Sequence, residues 1–173
     1  MSLEFGKIRP LKESVAMAKK YLSNNWEDYV SFVERNFSDR WGGKFGHTFD
    51  RHFNMPDREL AWRVQSEKVN GASTFTISPD EVVSIIKDFL CDPVTAEEIQ
   101  VWLCAEPGRP YPLIIPTDKI VGKCYLRHNH DWRDGALGCD EVLVSLAADW
   151  DYPHRFKIIT AYPYVDGIDA PRC

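Results

Sequence analysis

Over the first 40 residues the apolar positions recur at helical spacing. Leu11, Val15, Ala18 and Leu22 share one face, with Lys12, Glu13, Lys19 and Lys20 largely opposite. After Ser23-Asn24-Asn25 the pattern resumes through Trp26, Tyr29, Val30, Val33 and Phe37, so two helices separated by a break are predicted. Gly42 and Gly43 mark a loop. "HTFDRHF" follows as a short helix, in which His47 and Arg51, and Phe49 and Phe53, lie four residues apart and share faces. Thr48 is no obvious cap, which leaves the start of this helix open. "MPDRELAWRVQSE" predicts a further helix, with Pro56 in its first turn and Asp57 and Glu59 near its positive end.

After Gly71 the period changes. "STFTI" alternates and is β-branched, as a strand does. "SPDEVVSIIKDFL" predicts a helix with Ser78 as N-cap and Pro79 in the first turn. "TAEEIQVWLC" reads as another helix, capped by Thr95, and "EPGRPYP" as a turn-rich connector. From Pro112 onward "PLIIP", "KIVGKCYLR", "EVLVSLAAD" and "RFKIITAYP" read as strands. Helices first and strands later predict an α+β fold with an antiparallel sheet.

Length and composition narrow the class. The 173 residues suit one domain or a compact pair of lobes, and 44% hydrophobic with 13% aromatic content supplies a core and excludes disorder. No apolar run approaches the roughly 20 residues that cross a bilayer. The first 17 residues lack the apolar stretch of a signal peptide, so an export signal is expected to lie outside this chain. Five cysteines at wide spacing, without a CxxC pair, argue against a disulfide framework or a structural zinc site; they read as buried or spare thiols of a reducing compartment. A net charge of −5 disfavours a general nucleic-acid coating protein. It leaves room for a small basic cleft, or for a basic partner.

Three groups of residues carry candidate chemistry. Histidine titrates near neutrality and serves as general base or acid; taken alone, His47 also reads as a packed or exposed helix-start residue. His52 lies five residues on, about 500° around a helix, so the two rings point about 140° apart. One can face a cleft while the other packs, and the pair is poorly placed to share a metal. In "YLRHNHDWRDGALGCD", His128 and His130 with Cys139 make a weak metal candidate, and no metal is expected. In "FKIITAYP", strict alternation puts Phe156, Ile158, Thr160 and Tyr162 on one face and Lys157, Ile159 and Ala161 on the other. Thr160 and Tyr162 are then two hydroxyls about 7 Å apart along one strand, fit for two oxygens of a phosphodiester, or simply the end of a strand.

The motifs "GHT", "RH", "LAWR", "ASTF" and "TAYP" occur in that order across roughly residues 40 to 165. In this the chain resembles the bacterial RNase A-like toxin domain found at the C-terminus of CdiA-type contact-dependent inhibition proteins. The resemblance implies an RNase A-like two-lobed fold without disulfides, as a catalytic domain over residues 41–173, with residues 1–40 as a helical segment packed on it. It implies a metal-independent endoribonuclease without cofactor, in which the ribose 2′-OH attacks the adjacent phosphorus to give a 2′,3′-cyclic phosphate. By motif, His47 corresponds to the catalytic histidine, Arg63 to the helix arginine with Arg58 nearby, and Thr160 and Tyr162 to the polar pair. Tyr162 or a second histidine would supply the leaving-group proton. Lys44, Arg51, Arg58, Arg63, Arg155 and Lys157, with His52, form the expected substrate-binding set. Asn54 stands where the family often carries a glycine, which leaves the local turn open. RNA (tRNA among the possibilities), a cognate immunity protein and a monomeric state are the implied partners and assembly. The implied place of action is the cytoplasm of a target bacterium, after delivery as part of a secreted protein.

A rival reading is an immunity or other binding protein. Small acidic chains rich in tryptophan, here Trp26, Trp41, Trp62, Trp102, Trp132 and Trp150, suit the capture of a basic toxin.

Overall fold

The computed structural model describes residues 9–41, 44–127 and 135–168. Helix α1 spans Leu11–Phe37 and is two helical segments joined at a kink at Asn25, where the break was expected. Asn25 has non-helical angles (φ −135°, ψ 26°), and its Nδ2 donates to the carbonyl of Tyr21 at 2.9 Å. A polar side chain that bonds the preceding turn kinks a helix without ending it. Next come α2 (Thr48–Arg51) and α3 (Asp57–Ser66). Pro56 stands at the N-cap of α3, one residue before the predicted first-turn position.

The link between these two helices turns at Asn54, whose φ of 52° is left-handed. That conformation suits glycine, and asparagine tolerates it better than most residues, so the turn survives the exchange.

Strand β1 (Gly71–Phe75) precedes α4 (Pro79–Leu90) and α5 (Pro93–Ala105). α4 starts as expected. Ser78 Oγ accepts from the Glu81 N–H at 3.2 Å, and Glu81 Oε2 accepts from the Ser78 N–H at 3.1 Å, completing a capping box. α5 is capped by Asp92 instead of Thr95. The Asp92 carboxylate accepts from the Thr95 N–H (2.9 Å) and hydroxyl (3.2 Å), and Pro93 opens the helix.

The remaining strands are β2 (Tyr111–Pro116), β3 (Gly122–Leu126), β4 (Leu137–Cys139), β5 (Glu141–Ala148) and β6 (Phe156–Tyr164). They form two three-stranded sheets, ordered β1-β3-β4 and β2-β5-β6, with antiparallel pairing throughout. β4 is not among the strands expected from the sequence; three residues carry too little alternation to announce one. The sheets approach each other where β3 meets the end of β6. A Cβ on Gly122 would sit 2.3 Å from the Pro163 ring and 2.6 Å from the Thr74 carbonyl, so only glycine fits that seam.

β6 departs from the expected alternation. Thr160 pairs with Ser145 but Ile158 pairs with Leu146, so Ile159 is an extra residue, a β-bulge. Phe156, Ile158 and Ala161 face the large core beneath α1, α4 and α5, whereas Tyr162 packs with Leu143, Cys124 and Leu126 on the other side. Thr160 and Tyr162 do share a face, but it is opposite to that of Phe156 and Ile158. Lys157, paired with Ala147, lies on the Thr160 side and not the reverse as strict alternation had it.

Aromatic rings run through the large core toward the short helix. Phe37 stacks on Phe156 at 5.6 Å and meets Phe45 edge-on at 5.9 Å. Phe45–Phe49 (5.3 Å), Phe49–Phe53 (5.1 Å) and Phe53–Phe75 (5.0 Å) continue the chain to β1. α1 thus shares its core with the strands that position the candidate site. Among the described residues no helix is long and apolar enough to cross a membrane.

Candidate active site

The "GHT" stretch is anchored on the β6 bulge. Gly46 has φ +55°, and a Cβ there would fall 1.8 Å from the carbonyl oxygen of Ile159. Only bare backbone can lie this close. Thr48 is fully buried. Its Oγ1 accepts the N–H of Ala161 at 2.7 Å and donates to the carbonyl of Phe45 at 2.7 Å. A bulge leaves ladder groups without strand partners, and here the threonine hydroxyl takes one of them. Between these two anchors His47 is exposed at the start of α2. The imidazole is presented to solvent from a loop pinned on both sides.

His52 lies behind it. The two ring centroids are 6.1 Å apart, and the His52 ring is 5.3 Å from that of Tyr162. His52 therefore bridges the early helix and the last strand. Its Nδ1 lies 3.4 Å from the carbonyl of Ser73 on β1, a contact in which the imidazole donates when the proton is on Nδ1. Burial, against the raising effect of the Ser73 contact and aided by electrostatic repulsion from neighbouring His47, Arg63 and Arg51, lowers the pKa of His52 to about 4. This ring is neutral at neutral pH. One histidine faces outward while the other packs, as expected, but the helical separation of about 140° does not hold. Both flank the four-residue α2 with non-helical angles (His47 φ −96°, ψ 16°; His52 φ −126°, ψ 24°), which brings the rings together.

Arg63 reaches back from α3 with little exposure. Its Nη1 donates to the carbonyl of Arg51 at 3.1 Å, and its Nε lies 3.5 Å from the Glu59 carboxylate. The guanidinium thus ties α3 to the end of α2, close enough to His52 to act on it electrostatically. Arg51 is paired with Glu67 at 3.8 Å. Lys44 and Arg58 are exposed on the turn before α2 and on α3, and Lys157 is exposed on β6. Arg155 sits at the start of β6 over the rings of Phe32 and Tyr152, 5.5 Å and 4.9 Å from their centroids.

Tyr162 is 6% exposed and Thr160 2%. Thr160 Oγ1 is buried and has no hydrogen-bond partner among the described residues. Buried polar groups are normally hydrogen-bonded, so this hydroxyl is a candidate donor to a bound group. His47, His52, Arg63 and Tyr162 thus gather where α2, α3, β1 and β6 meet, with Thr160 on the Tyr162 face of β6. Gly46, Thr48 and Ser73, which hold this arrangement, were not singled out from the sequence; a glycine directly before "HT" was the one available signal. His128 and His130 lie outside the described residues, and Cys139 is buried in β4.

The fold defines the class: an α+β protein of helices with two antiparallel sheets, whose cysteines at 91, 104, 124 and 139 are free thiols. In structure it is similar to a chain in the crystal structure of a CdiA-CT/CdiI complex from Y. kristensenii. The TM-score is 0.58 at 22% identity, over 69% of this chain and 100% of that one. Residues 46–163 match the bacterial CdiA-CT RNase A domain, and the chain belongs to that family. No curated protein gives a significant match. The family is that of a ribonuclease toxin domain of contact-dependent inhibition, which sets this chain on the toxin side of the toxin–immunity pairing considered from its composition.

Proposed function

We propose that this chain is a metal-independent endoribonuclease that cleaves RNA by attack of the ribose 2′-OH on the adjacent phosphorus. The observation that carries the reading is the His52 ring, set between His47 on the early helix and Tyr162 on the last strand. In the proposed reaction His47 takes the 2′-OH proton, the new bond forms from the 2′-oxygen to phosphorus, and the bond to the 5′-oxygen breaks. The products are a 2′,3′-cyclic phosphate and a 5′-hydroxyl.

The leaving oxygen needs a proton. His52, with its pKa near 4, does not carry one at neutral pH, so Tyr162 is assigned that role. Thr160, with its unpartnered hydroxyl, donates to the oxygens of the phosphorane. Arg63 adds positive charge while bracing α2. Lys157, on the same strand face as Thr160, contacts phosphate, with Lys44 and Arg58 at the rim. His52 fills the space behind His47 and fixes its position.

The similar crystal structure is a complex of a CdiA-CT with a CdiI. A cognate immunity protein is accordingly the partner proposed here, and the cytoplasm of a recipient bacterium the place of action. The test is cleavage of end-labelled RNA in EDTA, with the new ends identified chemically. Cyclic phosphate ends that persist in EDTA and vanish in His47→Ala support the mechanism. Activity abolished by the chelator, or undiminished in His47→Ala, overturns it.

A further inference from the structure

We infer that the hollow beside His47 is a nucleobase subsite that holds the base flanking the scissile phosphate and prefers bases bearing an exocyclic amino group. The inference rests on the ribonuclease reading above and extends it to substrate choice. The hollow has a volume of about 360 Å³ and is lined by Arg40, Trp41, Phe45, Gly46, Phe49 and Asp50. Gly46 directly precedes His47 in the chain, and Phe49 and Asp50 follow it on α2, so the hollow borders the segment that carries His47 on both sides. A group bound here contacts residues next in the chain to the proposed base.

The lining suits a flat heterocycle. Trp41 is 81% exposed, an unusual state for the largest apolar side chain. The Arg40 guanidinium lies over the ring at 4.4 Å from its centroid, giving a positively charged stacked platform. Phe45 and Phe49 meet edge to face at 5.3 Å and form an aromatic wall. Platforms of this kind take nucleobases by stacking, whatever the base.

Two polar groups add direction. The Nε of Arg40 is buried without a hydrogen-bond partner among the described residues, a donor held ready for an acceptor on the ligand. The Asp50 carboxylate can only accept. It fits the amino groups of cytosine, adenine or guanine, and meets carbonyl oxygens on uracil.

The test uses fluorescently labelled oligoribonucleotides, fully 2′-O-methylated so that they cannot be cleaved, that differ in one base. Binding is read by anisotropy, beside cleavage of the matching unmodified RNAs. Trp41→Ala is expected to weaken binding by roughly 5- to 150-fold, the effect of losing one base–aromatic stack, and to raise KM with kcat little changed. Trp41→Phe restores most of the affinity. Asp50→Asn narrows the preference for amino-bearing bases over uracil, and Trp150→Ala, at an exposed tryptophan in the β5–β6 turn, changes nothing. Wild-type affinity and base preference in both Trp41→Ala and Asp50→Asn overturn the subsite. A protein that binds through Trp41 yet cleaves no RNA keeps the subsite and loses the ribonuclease reading; one that cleaves while both variants bind as wild type does the opposite.

Discussion

Gly46→Ala isolates the contact on which the site depends. The added methyl would lie 1.8 Å from the Ile159 carbonyl oxygen and 2.6 Å from its carbon, at a residue with φ +55°. Left-handed backbone costs an L-residue roughly 1–2 kcal/mol. The overlap is with backbone, which no side-chain rotation relieves, so the loop carrying His47 must lift from β6 by more than about 1 Å. That stretches the 2.7 Å bond from the Ala161 N–H to Thr48 and leaves buried groups unpaired, at about 1–3 kcal/mol. The sum is a loss of roughly 2–5 kcal/mol of stability. A displacement of about 1 Å at a catalytic group costs on the order of a hundredfold in rate. Gly135→Ala is the control: its φ is +83°, but a Cβ there meets nothing within 4 Å, so it carries backbone strain alone. Urea unfolding gives the first quantity and single-turnover cleavage of labelled RNA the second. If Gly46→Ala is no worse than Gly135→Ala in both, the close approach of loop to bulge is not what holds His47.

Thr160→Val removes a buried hydroxyl that has no partner among the described residues, so thermal unfolding should show unchanged or slightly raised stability. Cleavage should nevertheless fall by roughly 10²–10³ if that hydroxyl serves the phosphorane; a destabilised protein of normal activity would contradict both parts. Acid should weaken the fold. His52 and His154, each held near pKa 4 chiefly by burial, stay neutral in the native state and bind protons on unfolding below about pH 6.5. Their contribution is fully present above that pH and is lost as pH falls from 6.5 to 4. For His52 it amounts to at most roughly 3 kcal/mol, and His52→Gln should flatten the pH dependence of urea unfolding midpoints. We further propose that residues 1–40 belong to the working domain although the family match begins at residue 46. Phe37 is 1% exposed and stacks on Phe156 and Phe45, so Phe37→Ala should cost about 3–5 kcal/mol. A calorimetric scan that leaves the melting temperature unmoved would place α1 outside the domain.

Much of the architecture was written in local patterns. The Ser78 capping box, the strands after Pro112 and the amphipathic face of α1 each depend on residues a few positions apart, and such relations are visible in one dimension. Helix geometry misplaced His47 and His52, because both sit at the ends of a single turn with non-helical angles and their rings come within 6.1 Å. The break at Ser23-Asn24-Asn25 was legible and falls at the Asn25 kink; local competition was harder to read, since Asp92 outcompeted Thr95 for the start of α5. That cap turns on one hydrogen bond, from the Thr95 N–H to the Asp92 carboxylate.

The sequence by itself determined the α+β class and the shared face of Thr160 and Tyr162, and it supplied the candidate residues proposed for the site. Only the tertiary structure decided which face that is, and what stands against it. The bulge at Ile159 is a property of β6 pairing with β5, and it turned Thr160 and Tyr162 away from Phe156 and Ile158 and brought Lys157 to their side. The seat of Gly46 and Thr48 on that bulge joins residues more than a hundred positions apart. Periodicity along a chain reports which side chains face together. It carries no information about which distant backbone will come to lie within hydrogen-bonding reach, because that is set by the packing of the whole core.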